Sequence, residues 1–149
     1  MSSAADLRVL DNELFTIDHA SDCAVPGYVV VRLKEAATSL SELGPHTAHA
    51  LGPLLASAAR AIEAAVGADR VYCLSFAELD RRLHFHLFPR TGWLLERYWR
   101  ATDRRHEPIN GPLVFEWART ALAAGTALPA QAGSIAGAFA ALRARLRGA

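Results

Sequence analysis

The chain has 149 residues, the size of one ordinary folded domain. Hydrophobic residues make up 52% of it and charged residues 21%, which excludes a disordered protein. The formal net charge of +1 offers no bulk attraction to a nucleic-acid polymer or a membrane surface. Residues 1–11 lack a secretory signal pattern, and no apolar run reaches the length of a membrane span. We therefore expect a cytoplasmic protein without a membrane partner.

The first 88 residues alternate between strand and helix patterns. Residues 14–17 and 27–33 are rich in β-branched and aromatic side chains and predict two strands, joined by a loop that ends at Pro26-Gly27. Apolar residues then recur at intervals of three and four between Pro45 and Gly67, which predicts a helix. Residues 70–76 and 82–88 predict two more strands around a polar turn at 78–81. This order favours an α+β fold in which a helix packs on an antiparallel sheet.

Beyond residue 89 the pattern changes to helix. One short helix is predicted at 93–99, and a second runs from a cap at Asn110 and Pro112 to about residue 124. A third carries Ile135, Phe139 and Leu142 on one face. The chain is thus predicted to form a domain at 1–108 and a helical C-terminal extension at 109–149 that packs on the same domain.

The strand at 82–88 has the most informative side chains of the chain. Successive side chains of a strand point to opposite faces. One face is therefore apolar, and the other holds Arg82, His84 and His86. The two imidazoles are about 6–7 Å apart along the strand, since each residue rises about 3.3 Å.

Three interpretations of these histidines are open. They can be solvent-facing side chains on a half-exposed strand. They can be two ligands of a zinc or iron site, which needs a third ligand such as His19 or His106, although neither falls at a diagnostic spacing. They can form a phosphate site, in which one imidazole attacks phosphorus and its neighbours stabilise the negative charge.

Residues 82–90, RLHFHLFPR, resemble the signature of the histidine triad (HIT) family, which is His-φ-His-φ-His-φ-φ with φ apolar, often followed by Pro-Arg. Upstream, PGYVVV at 26–31 is similar to the family's Pro-Gly-His strand, and SLSEL at 39–43 resembles the step into its helix. The resemblance covers residues 14 to about 90. It implies a HIT-like antiparallel sheet of about five strands with a packed helix.

The resemblance also implies a function. Family members are nucleotide-binding hydrolases or transferases, commonly homodimers, and cleave an α-phosphate bond through a nucleotidyl-histidine without a metal or other cofactor. By this resemblance His84 is the nucleophile and His86 binds the phosphate of a nucleotide or dinucleoside polyphosphate. Arg82 occupies the first triad position, and completes the predicted catalytic set. It can hydrogen-bond phosphate but cannot exchange a proton near neutral pH.

Two alternatives remain, one from the departures from the family pattern and one from the His-x-His pair. Besides Arg82, an acidic turn at 78–81 stands where the family has a Gly-Gln segment. The protein could therefore be a catalytically impaired module that binds a nucleotide or phosphate without cleaving it. The second alternative is a metal-dependent enzyme that uses the His-x-His pair.

Three further residues are predicted to bind the substrate. His19 lies in the loop between the first two strands, roughly where the family contacts the nucleoside. Arg90 belongs to the Pro-Arg step after the triad. Trp93 could stack on a base, because aromatic faces suit bases; the alternative is that its ring packs on the sheet or on a partner subunit.

Overall fold

The computed structural model describes residues 7–149. The prediction that residues 1–11 lack a secretory signal therefore concerns residues that lie partly outside the described ones. Five strands form one antiparallel sheet in the order β1-β2-β3-β5-β4. The strands are β1 (Arg8–Asp11), β2 (Phe15–His19), β3 (Val29–Leu33), β4 (Arg70–Leu74) and β5 (His84–Arg90). Strand β5 thus lies between β3 and the edge strand β4, and its side chains have neighbours on both sides.

Four α-helices complete the fold: α1 (Pro45–Val66), α2 (Gly92–Thr102), α3 (Gly111–Ala121) and α4 (Ile135–Arg145). Helix α1 begins with proline in its first turn and ends at Gly67, which has the left-handed φ of 65°. Helix α3 is capped by the side chain of Asn110, which accepts a hydrogen bond from the backbone N–H of Leu113 at 3.2 Å. The predicted α+β fold is confirmed.

The two faces of the sheet are covered by different helices. Helices α1 and α4 pack on one face, where Phe85 and Leu87 belong to a large apolar cluster. Helices α2 and α3 pack on the opposite face, which carries the histidines and which we call the histidine face. Phe88 and Phe115 lie in the second apolar cluster, at the β4 side of that face. The sheet is therefore the middle layer of three.

Strand β5 is shifted by two residues from its predicted position at 82–88. Arg70 pairs with Arg90, so the strand continues through Pro89 to the start of β4. The connection around the predicted polar turn at 78–81 is longer than expected, because it spans residues 75–83. Pairing stops at Leu74 and His86, and the backbone N–H of Leu83 instead donates to the carbonyl of Ala37 at 2.8 Å. That bond draws the connection away from β4.

The end of α3 is joined to the loop between β2 and β3. Ala24 donates to the carbonyl of Leu122 at 2.7 Å, and Ala124 donates to the carbonyl of Asp22 at 3.0 Å. These backbone bonds form an isolated antiparallel bridge between Cys23 and Ala123. The C-terminal extension is thereby connected to the first third of the chain.

None of the helices within residues 7–149 combines the length and the apolar character needed to cross a membrane.

Candidate active site

His84 and His86 lie side by side on the histidine face, with ring centroids 5.0 Å apart and ring planes 65° apart. Both side chains are partly buried. In the β3–β5 register, Arg32 lies opposite His84 and Val30 lies opposite His86. The sheet therefore places an arginine beside the first histidine and an apolar side chain beside the second.

The hydrogen bond of His84 determines which of its nitrogens can react. Its Nδ1 lies 2.7 Å from the backbone carbonyl oxygen of Arg82. Because a carbonyl oxygen only accepts, this Nδ1 must carry the hydrogen and donate. The neutral ring then has its lone pair on Nε2. His84 is thus held in the tautomer that a nucleophile requires.

The hydrogen bond of His86 indicates the opposite tautomer. Its Nδ1 lies 2.6 Å from the hydroxyl of Tyr28, which makes no other hydrogen bond within residues 7–149. A buried hydroxyl donates its hydrogen when an acceptor is within reach, so we assign Nδ1 as the acceptor. Nε2 of His86 then carries the hydrogen and can donate to a ligand. The two rings offer complementary groups, a lone pair and an N–H.

The position of Tyr28 is set by tight local packing. It follows Gly27, whose φ is +89° and whose Cβ, if it had one, would lie 2.9 Å from a methyl of Val66. Its ring meets Phe88 and Phe115 edge-on, with centroids 5.3 and 6.1 Å away. Burial raises the pKa of the Tyr28 hydroxyl above its ordinary value of 10.0, so the hydroxyl remains protonated.

The electrostatic surroundings keep His86 neutral. Burial, followed by electrostatic interactions with His84, Arg119 and Arg32, lowers the pKa of His86 from 6.5 to about 4. At neutral pH the ring is therefore an uncharged hydrogen-bond donor. It can donate to a phosphate oxygen while carrying no charge of its own.

Two cavities flank the histidine pair. A cavity of about 650 Å³ reaches His86 and is bordered by β1, β2 and α3. A second cavity of about 480 Å³ reaches His84 and Arg82. Thr16 and Arg32 line both cavities, so the two spaces meet at the histidines. The larger cavity has the size of a typical small-molecule site.

The larger cavity contains three arginines, Arg8, Arg32 and Arg119, and two aspartates. Arg8 and Arg32 share Asp18, with 3.6 Å between Nη1 of Arg32 and the carboxylate. Nη2 of Arg119 lies 3.3 Å from the Asp22 carboxylate. With three guanidinium groups against two carboxylates, the cavity has one excess positive charge.

Arg82 lies just before β5, beside His84. Its Nη2 donates to the carbonyl of Leu33 at 3.4 Å, and the rest of its guanidinium borders the smaller cavity. The three residues predicted as catalytic, Arg82, His84 and His86, are therefore neighbours. The first does not continue the alternation of the strand, because pairing begins at His84.

His19 borders the larger cavity but is almost fully buried, with 2% of its surface exposed. Its Nδ1 donates to the carbonyl of Ala20 at 2.9 Å, and its Nε2 accepts from the backbone N–H of Gly27 at 2.8 Å. Burial lowers the pKa of His19, which agrees with this neutral ring. Both nitrogens are thus in use, and only the ring surface remains for a ligand.

Arg90 and Trp93 lie away from the histidine pair. Arg90 is at the other end of β5, about 20 Å from His84 at the usual rise per residue. Trp93 is partly buried on α2 and packs against the apolar cluster beneath α2 and α3. Neither residue lines the two cavities beside the histidines.

No group of three His, Cys, Asp or Glu side chains suited to a metal ion occurs in the part of the chain that the structure describes. The electrostatic neighbours of His86 are His84, Arg119, Arg32 and Asp22, and its hydrogen-bond partner is Tyr28. Neutral imidazoles could still contribute two ligands, but the third ligand that a His-x-His site needs is not supplied by these neighbours.

Four residues of the site were not predicted: Tyr28, Arg32, Phe115 and Arg119. Tyr28 had a sequence signal, since it occupies the histidine position of a Pro-Gly-His motif. The strand alternation of VVVRL also places Arg32 on the polar face. Phe115 and Arg119 had no sequence signal, because α3 lies outside the part of the chain that resembles the family. This helix reaches the site through contacts between residues far apart in sequence.

Comparison with known proteins supports the fold through structure alone. No family model matches the chain, and no curated protein matches it. A histidine triad protein from Bradyrhizobium japonicum has a TM-score of 0.62 at 15% identity, over 95% of this chain and 92% of that chain. A Zn-bound histidine triad family protein from Mycobacterium smegmatis has a TM-score of 0.57 at 16% identity, over 95% and 84%.

A third similar structure is a hypothetical histidine triad nucleotide-binding protein from Sulfolobus tokodaii, with a TM-score of 0.53 at 21% identity. That match spans 58% of this chain and 61% of the Sulfolobus chain. The two longer matches include the C-terminal helices. The five-stranded sheet, its packed helices and these structures together show that the chain has the histidine triad fold.

Proposed function

We propose that the protein is a phosphohydrolase or nucleotidyl transferase that acts on a nucleotide or dinucleoside polyphosphate through a nucleotidyl-histidine at His84. One observation carries the proposal: the hydrogen bond from Nδ1 of His84 to the carbonyl of Arg82 leaves the lone pair on Nε2. The complementary donor on His86, 5.0 Å away between centroids, supports it. The fold is consistent with nucleotide chemistry at the level of the family.

In the proposed reaction, Nε2 of His84 attacks the α-phosphorus. The new P–N bond forms as the P–O bond to the leaving group breaks and the leaving group takes the electron pair. Nε2–H of His86 donates to a non-bridging oxygen and stabilises its growing negative charge. Water or an acceptor hydroxyl then attacks phosphorus, the P–N electrons return to Nε2 of His84, and the proton of the attacking O–H passes to solvent.

Arg82 supports a preference for certain leaving groups. A guanidinium can stabilise a departing anion through charge-assisted hydrogen bonds, but it cannot supply a proton near neutral pH. A phosphate or nucleotide leaving group departs as an anion and needs no proton, whereas an amine does. We therefore expect phosphoanhydrides to be better substrates than phosphoramidates.

The proposal is tested by turnover of a nucleotide panel combined with intact-protein mass spectrometry. We expect the wild type to form a nucleotidyl adduct and His84→Ala to lose turnover by at least roughly 10³-fold, because no other group can form the covalent intermediate. His49→Ala, which removes an exposed histidine on α1, is the control and should retain full activity.

The outcomes separate this proposal from the alternatives. Absence of wild-type turnover on the whole panel contradicts the enzyme proposal, and nucleotide binding without an adduct supports the impaired binding module. The Mycobacterium protein is Zn-bound. Stoichiometric zinc, iron or manganese in this protein, purified without a histidine tag, would support the metal-dependent alternative.

We also propose that the protein is a cytoplasmic homodimer. Strand β4 is an edge of the sheet, and its exposed Cys73 and the following Phe76, 73% exposed, lie beside an apolar groove against α3. Antiparallel pairing of two β4 edges would join two sheets and cover this surface. Light scattering in solution tests the assembly.

A further inference from the structure

Two arginines that line the larger cavity, Arg32 and Arg119, have no role in the proposed reaction. Arg32 reaches this cavity from β3, and Arg119 reaches it from α3. Each is close enough to contribute to the lowered pKa of His86. The proposed reaction assigns His84 and His86 to the phosphorus under attack and Arg82 to the departing anion, so Arg32 and Arg119 have no assigned partner in the ligand.

Helix α3 orients Arg119 towards the site. Its guanidinium lies over the ring of Phe115, 5.7 Å from the centroid, and that ring lies 6.0 Å from the ring of His86. Phe115 is buried and packs against Tyr28 and Phe88. Phe115, on a packed helix, thus positions the Arg119 side chain, whereas the guanidinium of Arg119 remains accessible.

The ion pairs of the two arginines leave them free to bind a ligand. The Arg119 and Asp22 side chains are 44% and 66% exposed, so their interaction is screened by water and weak. Arg32 makes one contact of 3.6 Å with Asp18. A guanidinium has five N–H donors, so most donors of both arginines remain available to an anion.

We propose that Arg119 and Arg32 form an anion subsite beside His86 that binds a second negatively charged group of the ligand, apart from the phosphorus that His84 attacks. The ligand class is a molecule with at least two phosphate groups, such as a nucleoside diphosphate or a longer polyphosphate. In a diphosphate the second group is also the departing anion, so Arg82, which lines the smaller cavity together with Arg32, would share it. The identification of the ligand rests on the proposed function, but anion binding by the arginines does not. Asp22 competes with the ligand for Arg119.

Calorimetry tests the subsite with two probes, the uncleavable α,β-methylene analogue of ADP and the monophosphate AMP. We expect the wild type to bind the diphosphate analogue more tightly than AMP. Arg119→Gln should weaken analogue binding by roughly 10- to 100-fold, as expected for a lost charge-assisted contact. It should leave AMP binding nearly unchanged.

A matched control is available on the opposite face of the sheet. Arg143 on α4 lies over Phe139 at 5.5 Å, the same four-residue spacing as in α3. Arg143→Gln removes one charge and one such contact far from the histidines. It should leave both affinities unchanged.

Asp22→Asn distinguishes a ligand-binding role from a structural one. If the carboxylate competes with the ligand, its removal should tighten analogue binding, by roughly two- to fivefold for an exposed pair. If the ion pair only holds α3 in place, Asp22→Asn should weaken binding as Arg119→Gln does. That result would overturn the proposal, as would equal wild-type affinity for AMP and the analogue.

Methylenediphosphonate, which has no nucleoside, separates failure of the subsite from failure of the proposed function. Arg119-dependent binding of this probe without nucleotide binding would contradict the proposed nucleotide enzyme and support the subsite. Nucleotidyl transfer with no effect of Arg119→Gln on any diphosphate probe would support the enzyme and overturn the subsite. No binding of any probe would overturn the subsite and the nucleotide-binding proposal together.

Discussion

The two faces of the sheet share the same five strands but differ in composition along their length. The face beneath α1 and α4 is apolar from β1 to β5, with Ile17, Val31 and Leu87 fully buried. The histidine face is apolar around Phe88, Phe115 and Val30 and is polar towards β1. His86 lies at the boundary, in contact with Tyr28 and Phe115.

The two faces therefore have different roles: one stabilises the fold, and the other holds the groups that would act on a ligand. The continuous apolar face supplies most of the buried surface that the fold needs. The boundary on the other face combines a low-polarity environment, which keeps His86 neutral, with charges that an anionic ligand can reach. Substitutions on the two faces should therefore have different effects, and the following predictions test that division.

The largest effect on stability is expected on the apolar face. Leu87→Ala removes a fully buried side chain and should lower the free energy of unfolding by about 2–5 kcal/mol. The histidine geometry remains, so activity per folded molecule should stay near that of the wild type. Chemical denaturation and an activity assay measure the two quantities. Leu79→Ala, at a fully exposed position, is the control and should change stability by less than about 0.5 kcal/mol.

A smaller effect, of the opposite kind, is expected for Tyr28→Phe. Loss of the hydroxyl removes the hydrogen bond to Nδ1 of His86, so the tautomer of this ring is no longer fixed and kcat should fall by roughly tenfold. The free energy of unfolding should change by about 1 kcal/mol. Tyr72→Phe is the matched control, since its ring packs on Phe88 without contacting either histidine. An unchanged kcat in Tyr28→Phe would show that the hydroxyl does not position His86.

The smallest effect is the pH dependence of stability. The pKa of His86 is about 4 in the folded protein and 6.5 as a free group, so the unfolded chain binds more protons between these values. The free energy of unfolding should therefore be highest above pH 6.5 and fall as the pH approaches 4. Because the ring is partly exposed, we expect about 0.5 kcal/mol per pH unit from this group.

Denaturation at several pH values measures this slope. His86→Gln should flatten the curve, whereas His49→Gln on the surface of α1 should not. Burial lowers the pKa of His19 in the same direction, so some slope should remain in His86→Gln. A curve that is identical in wild type and His86→Gln would show that His86 titrates normally.

The sequence predicted the features that depend on neighbouring residues. The alternation of Leu83, Phe85 and Leu87 identified the core face, and Gly67 and Asn110 marked helix ends. Strand limits were less accurate. Proline usually ends a strand pattern, but pairing with β4 carries β5 through Pro89. Strand β1 was not predicted individually, because its four residues are too few for a clear alternation.

The candidate site was predictable only in part. His84 and His86 were found because both lie on one short strand. Arg119 was not, since its contact with Asp22 joins residues 97 positions apart. The tautomers of the histidines likewise depend on partners that only the folded chain brings together, above all Tyr28, 58 positions from His86.

The bridge between Cys23 and Ala123 has a consequence for the speed of binding. It joins the loop that contains Asp22 to the end of α3, so both sides of the larger cavity belong to one hydrogen-bonded frame. A ligand then meets two cavity walls whose relative position is already fixed. Association should follow a single fast phase whose rate rises in proportion to ligand concentration.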